Sequence, residues 1–400
     1  MKRFLSALAL SLSLLCLTSL TAQDNVPADS LSSTDEMGEK VPRKRLWERG
    51  LAGKVVRYFN KANQPKPLDE FDFSVIGGPF YDKTSGLGIG ICGSGLYHLQ
   101  PSNPSLPHSD ISLTVRATTK GMFSLDAEGR NYLPNDRFRA DYEVELTTFR
   151  NEFWGLGYAQ NDVDAHSSFF TRNQVFATGS FLVRLAPRLY LGPSLYYSLY
   201  YADKRDARAD SLLGDRPRHT STPGLGLTLR YDSRDHALEP RHGMYFNLEQ
   251  RIQPSCLGNK RTFTTTEMEW RAFTPLWKGC ILGGEIHALV NCGKDIPWTE
   301  YAYVGGNQRM RGYYEARYKD RNVVEAQVEL RQHIKGRSGV VAWAGFANVF
   351  RDTHSWQFRQ TLPNGGFGYR WRFKPGVNVR LDLGFTRNGP GFIFAINEAF

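Results

Sequence analysis

Residues 137–147 read Arg-Phe-Arg-Ala-Asp-Tyr-Glu-Val-Glu-Leu-Thr, in which apolar or small side chains alternate with polar or charged ones. Successive side chains of a β-strand point to opposite faces, so this stretch predicts a strand with one apolar and one charged face. The same alternation recurs in three later stretches, at 322–331, 367–373 and 377–385. Because the period of two runs from Phe71 to Phe400, the sequence predicts an all-β structure.

The length of these stretches favours a membrane barrel over a soluble β-sandwich. Sandwich strands usually have about five or six residues, whereas a tilted strand needs about ten to cross a bilayer, as these have. Aromatic residues gather at strand ends, as at Tyr196–Tyr197, where membrane interfaces would lie. An open edge in hydrocarbon would leave backbone groups without partners, so the sheet must close. We expect its ionic side chains inside, among them Glu143, Glu325 and Asp382.

Sixteen segments fit this pattern, and bacterial barrels have even strand numbers. The predicted strands are 71–79, 86–98, 110–119, 121–131, 137–149, 167–184, 188–201, 221–232, 243–252, 262–274, 280–291, 322–333, 338–350, 364–373, 377–386 and 391–400. Short connections such as 374–376 would be periplasmic turns, and the long ones at 202–220 and 292–321 would face outside. The prediction is therefore a sixteen-stranded antiparallel transmembrane β-barrel over residues 71–400.

The N-terminal residues indicate export. The chain has 400 residues, and beyond residue 22 it contains no run of about 20 apolar residues, which excludes a bundle of membrane helices. Residues 1–22 place Lys2 and Arg3 before an apolar stretch and small residues, as in a cleaved secretory signal peptide. We therefore predict the outer membrane of a Gram-negative cell as the location, and no nucleic-acid partner.

Between the signal and the barrel the composition changes twice. Residues 23–39 are acidic, polar and rich in serine, which predicts a linker. Residues 40–70 are predicted to form a short basic amphipathic helix and a linker, with an apolar stripe at Trp47, Leu51, Val55 and Phe59. Such a helix could lie on anionic headgroups or dock on the barrel; the alternative is a solvated basic helix or linker.

Three motifs follow one another along the chain. The first is a strand-turn-strand signature at Asp232, Arg234, Asp235, Pro240 and Gly243. The second is Arg311-Gly312-Tyr313 within the long segment 293–321, and the third is the closing strand, 391–400. Together with residues 151–157, they resemble the outer-membrane assembly and secretion barrels of the BamA/TamA-like superfamily, which include bacterial surface antigen barrels. The resemblance implies a sixteen-stranded barrel with segment 293–321 as a lid loop.

Arg311 would be the anchor of this lid. Its guanidinium offers five donors in a rigid fork that suits carboxylates. We expect Arg311 to reach one of the wall acids Glu325, Glu329 and Asp382. Glu329 is preferred because Gly345 stands where the family pattern usually carries an aspartate. The alternative is a solvated surface arginine.

The last strand carries an apolar face, formed by Phe392, Phe394, Ile396 and Phe400. A terminal phenylalanine resembles the signal by which cells recognise outer-membrane barrels for assembly. The alternative is that these side chains only face lipid. The strand-turn-strand signature likewise has a structural interpretation, which we favour, in which its polar side chains satisfy turn backbone groups.

Catalysis is not predicted. The nine histidines are scattered, and no serine lies in an activated-turn motif. No Cys/His spacing fits a metal site, so we expect neither a cofactor nor a metal ion. Cys280 and Cys292 share one strand face about 40 Å apart, too far for a disulfide.

Two classes of function remain. The resemblance implies a machine that inserts or translocates proteins through a weakly paired seam between the first and last strands, 71–79 and 391–400. Three residues would weaken the first strand's pairing, namely Gly77, Gly78 and Pro79. Residues 23–70 are short for the periplasmic client-binding domains that family members generally carry. A reduced member is therefore predicted, with outer-membrane lipids, nascent outer-membrane proteins and separate periplasmic or lipoprotein partners. The alternative is a passive porin-like channel or a structural surface-antigen barrel.

Overall fold

The computed structural model describes residues 33–34, 40–41, 71–103, 106–374 and 377–400. In the N-terminal unit, Met1–Lys61, Ser33–Thr34 pairs antiparallel with Lys40–Val41. The signal peptide predicted at 1–22 lies outside the described residues, as does nearly all of the predicted linker and basic helix. Among the described residues, no helix has the length and apolar content needed to span a bilayer.

The second unit, Ala62–Phe400, contains a closed antiparallel barrel. Within the described residues its sixteen strands are β1 (Asp72–Asp82), β2 (Gly86–Tyr97), β3 (Ser109–Thr118), β4 (Phe123–Tyr132), β5 (Phe138–Phe153), β6 (Ser168–Ala186), β7 (Leu189–Asp203), β8 (His219–Asp232), β9 (Gly243–Gln253), β10 (Phe263–Trp277), β11 (Cys280–Gly293), β12 (Asn322–Lys335), β13 (Ser338–Phe350), β14 (Leu362–Lys374), β15 (Val377–Thr386) and β16 (Gly389–Ile396). Among the described residues the connections contain two short α-helices, α1 (Tyr158–Asn161) and α2 (Ala207–Leu213), and several single-turn 3₁₀ helices. The predicted strand number and closure are confirmed.

The two faces of the strands divide as the alternation predicted. Large apolar side chains on the outer face are exposed, among them Leu87, Ile89, Ile91, Leu113, Val115, Leu225, Leu227, Val328 and Leu330. Glu325 and Asp382 are buried inside, and Glu143 lines the lumen. An outer wall of exposed aliphatic residues around an ionic interior is typical of a barrel surrounded by hydrocarbon.

The antiparallel order defines two rims. We call the end where β1 begins and β16 ends the terminal rim, and the opposite end the lid rim. The long connections predicted at 202–220 and 292–321 both lie at the lid rim. At the terminal rim, Lys374 at the end of β14 pairs with Val377 at the start of β15, on either side of the predicted short connection. β5 continues to Phe153, four residues beyond its predicted end.

The boundary between β16 and β1, which we call the seam, has the shortest register in the described barrel. Its register consists of one residue pair, Phe394 with Tyr81. Every other boundary has eight or more registered pairs, up to the sixteen that join β5 to β6. At the lid rim, Lys83 Nζ also donates to the Asn388 carbonyl oxygen (2.9 Å) across the seam.

Candidate functional site in the barrel lumen

The lid is the connection of residues 294–321 between β11 and β12. Ala302–Tyr303 pairs antiparallel with Lys319–Asp320, which draws the two ends of the lid together. Buried apolar residues of the lid pack on the wall in one cluster, formed by Ala302, Val304, Met310, Tyr313, Tyr318, Val323, Ala347, Val349 and Leu362. The lid therefore has its own backbone pairing and an apolar base, which a loop buried away from water requires.

Arg311 lies in the buried part of the lid. Its side chain is 0% exposed; Nη2 donates to Glu329 Oε2 (2.5 Å) and Nη1 to Asp382 Oδ2 (3.0 Å). The guanidinium also stacks 3.7 Å above the ring centroid of Trp343. Arg311 thus contacts two of its three candidate acids together, one from β12 and one from β15.

Other arginines share these two carboxylates. Arg331 Nε donates to Glu329 Oε1 (2.8 Å), and Arg370 Nη1 donates to Asp382 Oδ1 (2.5 Å). Each carboxylate is therefore held between an arginine of the wall and Arg311 of the lid. Buried ion pairs gain little net stability over apolar packing, but removal of one partner leaves a buried charge. The arrangement consequently specifies where the lid tip sits.

A second arginine of the lid, Arg309, also contacts acids of the wall. Its Nε lies 3.1 Å from Glu325 Oε2, and its Nη1 lies 3.7 Å from Glu285 Oε1. Glu325, the third candidate partner of Arg311, instead contacts Arg309 and lies 3.1 Å from His287 Nδ1. Arg309 is two residues before Arg311, and this spacing was the one feature of the sequence that could have indicated that both arginines point toward the wall.

Gly312 lets the lid backbone lie directly on the wall. Its φ is +105°, a region that favours glycine. A Cβ on Gly384 would lie 2.3 Å from the Arg311 carbonyl oxygen, and a Cβ on Gly391 would lie 2.6 Å from Gly312 Cα. Gly384 and Gly391 are registered partners in β15 and β16. The lid tip therefore packs on a surface of β15 and β16 that has no side chains, at Gly384 and Gly391. Next to it, Tyr313 Oη donates to the Pro363 carbonyl oxygen (2.8 Å).

The lid also reaches the other side of the seam. The Glu315 backbone amide donates to Thr84 Oγ1 (2.8 Å), in the turn that follows β1. The Glu315 carboxylate lies 3.8 Å from Arg172 Nη1 of β6. Since Gly312 lies on β16, the lid connects the two strands of the seam from inside the barrel.

The segment after β5 covers the lid on its lid-rim side. Trp154 packs against Tyr314 with ring centroids 5.2 Å apart, and Arg317 lies over the Trp154 ring. Asn161 Oδ1 of α1 accepts from the Lys319 backbone amide (2.9 Å). Residues 151–157, which resembled a family segment, thus end β5 and begin this cover.

The strand-turn-strand signature lies at the terminal rim. Arg234 makes a bidentate contact with Asp232 (3.0 Å to each oxygen) and stacks on Tyr245. Asp235 Oδ1 accepts from the backbone amides of Arg241 (2.9 Å) and His242 (3.2 Å). Burial alone would raise the pKa of Asp235, but these donors outweigh it and hold the pKa below its usual value.

Glycine and proline complete the signature turn. Gly243 has φ +102°, and a Cβ there would lie 2.3 Å from the Ser233 carbonyl oxygen. Pro240 follows Glu239, whose carboxylate accepts from Arg372 Nη2 of β14 (2.8 Å). The polar side chains of the signature thus bind backbone amides of the turn and one another. The turn also contacts β14, through Glu239.

The last residues depart from the sequence prediction. Phe392 and Phe394 alternate with the buried Gly391 and Ile393, as expected for an outer face. The prediction that Phe400 shares that face is wrong. β16 ends at Ile396, Asn397 has φ +70°, and the chain turns inward.

Phe400 is consequently 6% exposed and lies in the lumen. Its ring packs against Phe273 of β10, with centroids 6.0 Å apart. Its main-chain oxygen accepts from Arg331 Nη2 (2.6 Å). The same arginine that holds Glu329 therefore also holds Phe400, four residues after the end of β16.

The lumen contains two cavities, of about 430 and 410 Å³. Glu143 and Gln308 of the lid line both, so the lid tip stands between them. Within the described ranges, no group of three His, Cys, Asp or Glu side chains is arranged to hold a metal ion. The four cysteines of those ranges are free thiols.

Comparison with solved structures gives the same fold. BamA from Haemophilus ducreyi lacking POTRA domains 1–3 aligns with a TM-score of 0.54 at 10% identity, over 87% of this chain and 78% of that one. CdiB from Escherichia coli aligns with a TM-score of 0.55 at 12% identity, over 85% and 69%. CdiB from Acinetobacter baumannii aligns with a TM-score of 0.51 at 11% identity, over 82% and 59%. At these identities the likeness shows the barrel fold.

A comparison with curated proteins gave no match. Residues 112–388 match the Omp85 superfamily domain, which is more than half of the chain. This match confirms the resemblance carried by the three motifs. The chain is therefore an outer-membrane β-barrel that belongs to the Omp85 superfamily.

Proposed function

We propose that this barrel assists the insertion or translocation of proteins at the outer membrane, through the seam between β1 and β16. The observation that carries the proposal is the register of the seam, one residue pair against eight or more at the other described boundaries. A sheet edge with few backbone pairs is a template for a strand from another chain, because main-chain hydrogen bonds supply affinity without a specific sequence.

The lid acts as the internal clamp of this seam. It contacts β16 through Gly312 and the turn after β1 through Glu315, so seam opening and lid displacement are coupled. The buried contacts of Arg311 with Glu329 and Asp382 set the resting position of the clamp. A client strand that pairs with β1 would have to disturb these contacts or bypass them.

The proposed partners follow from this activity. Nascent outer-membrane proteins are the clients, outer-membrane lipids receive them, and separate periplasmic or lipoprotein partners deliver them. The proposed mechanism contains no catalytic step and needs no cofactor. Each step exchanges backbone hydrogen bonds and apolar burial between two chains.

Site-specific photocrosslinking in cells tests the proposal. A photoreactive phenylalanine at Phe73, an exposed outer-face residue of β1, should yield adducts with nascent outer-membrane proteins. The matched control is the same group at Leu227, an exposed outer-face residue of β8 far from the seam. Adducts at Phe73 should exceed those at Leu227, and depletion of the protein should lower the levels of other outer-membrane proteins.

The porin-like alternative predicts different results. Phe73 and Leu227 would then give equal adducts, and depletion would leave outer-membrane protein levels unchanged. Steady ion conductance of the purified barrel in planar bilayers, with the lid in place, would also favour a channel. Together these results would contradict the seam mechanism.

A further inference from the structure

A third cavity opens at the terminal rim, with a volume of about 420 Å³. We call it the rim pocket. The signature turn contributes Glu239, Pro240 and Arg241, and the ends of β10, β11, β12, β13 and β14 form its other walls. None of residues 294–321 lines it, but it shares Arg331 and Arg370 with the wall that holds the lid.

The rim pocket carries an excess of positive charge. Its lining residues include five arginines and two glutamates, which are Arg241, Arg331, Arg337, Arg370, Arg372, Glu239 and Glu398. Glu398 contacts Arg370 (2.8 Å), and Glu239 contacts Arg372 (2.8 Å). Arg241 and Arg337 make no ion pair with any described residue and are both exposed. Neither of these two cations is paired with a described carboxylate, although Arg337 lies over the Trp371 ring (5.8 Å to the centroid).

Two further arginines of the pocket, Arg331 and Arg372, have N–H groups without a hydrogen-bond acceptor among the described residues. The side chain of Arg331 is 9% exposed, yet its Nη1 has no hydrogen-bond partner among the described residues. Arg372 Nε is likewise without a partner there. A buried donor without an acceptor is unfavourable. An oxygen-rich anion in the pocket would supply the acceptors.

One wall of the pocket belongs to the outer surface. A register shift near Pro275 brings Trp277 opposite Cys280, and Trp277 is 59% exposed. Val340, an exposed residue of β13, lines the same pocket. Tryptophan concentrates where the hydrocarbon meets the headgroups. The rim pocket therefore joins an apolar outer wall to an arginine-rich inner wall.

We propose that the rim pocket binds the phosphate headgroup of an anionic phospholipid in the leaflet at the terminal rim. The arginines provide charge-assisted donors for the phosphate oxygens, and the guanidinium fork suits their geometry. Trp277 and Val340 give the adjoining acyl chain an apolar surface. A free phosphate would use the arginines alone, so the mixed walls favour a lipid. This site does not depend on whether the barrel inserts proteins.

Lipid retention by the purified full chain in non-ionic detergent tests the proposal, measured by native mass spectrometry. The probes are dioleoylphosphatidylglycerol, dioleoylphosphatidylcholine and inorganic phosphate. The doubly substituted Arg241→Gln, Arg337→Gln protein should bind phosphatidylglycerol roughly thirtyfold more weakly than the wild type, because each of the two arginines near a lipid surface adds about 1 kcal/mol. The matched control, Arg351→Gln with Arg359→Gln, removes two exposed arginines at the lid rim.

A third variant gives a result of opposite sign. Glu239→Gln removes a carboxylate from the pocket and frees Arg372, so phosphatidylglycerol should bind more tightly. Equal binding of phosphatidylglycerol by the wild type and the Arg241, Arg337 variant would overturn the proposal. Inorganic phosphate that binds as tightly as phosphatidylglycerol would overturn the assignment to a lipid. Weaker retention of phosphatidylcholine by the wild type supports a preference for net negative charge.

Discussion

Two boundaries of the same barrel are joined in different ways. β5 and β6 share sixteen registered pairs, so their contact is a continuous backbone ladder. β16 and β1 share one registered pair, and the lid bridges them from inside through Gly312 and Glu315. Each ladder hydrogen bond contributes about 0.5–1.5 kcal/mol net. The difference teaches that a barrel can be closed without a ladder at one boundary if an internal element holds both strands.

A disulfide across each boundary is the strongest test of this difference. Tyr81→Cys with Phe394→Cys places two thiols directly opposite across the seam, and Val144→Cys with Ala177→Cys does the same between β5 and β6. Under oxidising conditions the seam disulfide should reduce client insertion to near background, because the seam can no longer open. Reductant should restore insertion.

The β5–β6 disulfide should leave client insertion unchanged, and outer-membrane protein levels report both results. The parent protein under the same oxidant controls for its own free cysteines. Equal loss of insertion from both disulfides would show that the seam has no special role.

Removal of the lid anchor should produce the largest change in stability. Arg311→Gln leaves Glu329 and Asp382 buried with less compensating charge, which costs about 3–5 kcal/mol. Urea unfolding in lipid vesicles measures the free energy of unfolding, and protease cleavage within 294–321 reports release of the lid. Arg359→Gln, at an exposed position, is the control. A change below about 1 kcal/mol would mean that the lid does not depend on Arg311.

A methyl group under the lid tip should have a smaller effect on the same two measurements. Gly391→Ala puts a Cβ 2.6 Å from Gly312 Cα, where backbone must move, and overpacking of this kind costs about 1–3 kcal/mol. Gly284→Ala is the matched control, since its Cβ would meet no atom within 4 Å. If both variants unfold at the same urea concentration, the lid tip does not rest on β16 in the membrane.

Substitution of the second lid arginine should have the smallest effect. The side chain of Arg309 is 26% exposed, and Arg271 also contacts two of its acids, Glu269 and Glu285, so Arg309→Gln should cost up to about 1 kcal/mol. The lid should remain resistant to protease, unlike in Arg311→Gln. A larger loss than in Arg311→Gln would reverse the roles that we assign to the two arginines.

The alternation of side chains was sufficient to predict the barrel. Strands of about ten residues with a side-chain period of two can cross hydrocarbon in one arrangement, a closed barrel with its charged side chains inside. The end of the last strand could not be predicted, because Phe400 continues the apolar parity and only the backbone turn at Asn397 sends it into the lumen.

The sequence was sufficient to predict that Arg311 of the lid pairs with carboxylates of the wall, but not which carboxylates these are. A buried arginine needs carboxylates, and the inward parity of β12 and β15 supplied three candidates. Which of them meet Arg311 depends on the path of the lid across the lumen, which alternation does not encode. For the same reason the role of Arg309 with Glu325 was missed.

The contact of Gly312 with Gly384 and Gly391 has a consequence for any strand that replaces β16 beside β15. Such a strand would set its own residue at the place of Gly391, where the space admits a hydrogen atom and nothing larger. A glycine there would leave the lid seated, whereas an alanine or a valine would push it away. The size of the one side chain that an incoming strand places beside Gly384 would therefore decide whether the lid keeps its contact with the wall.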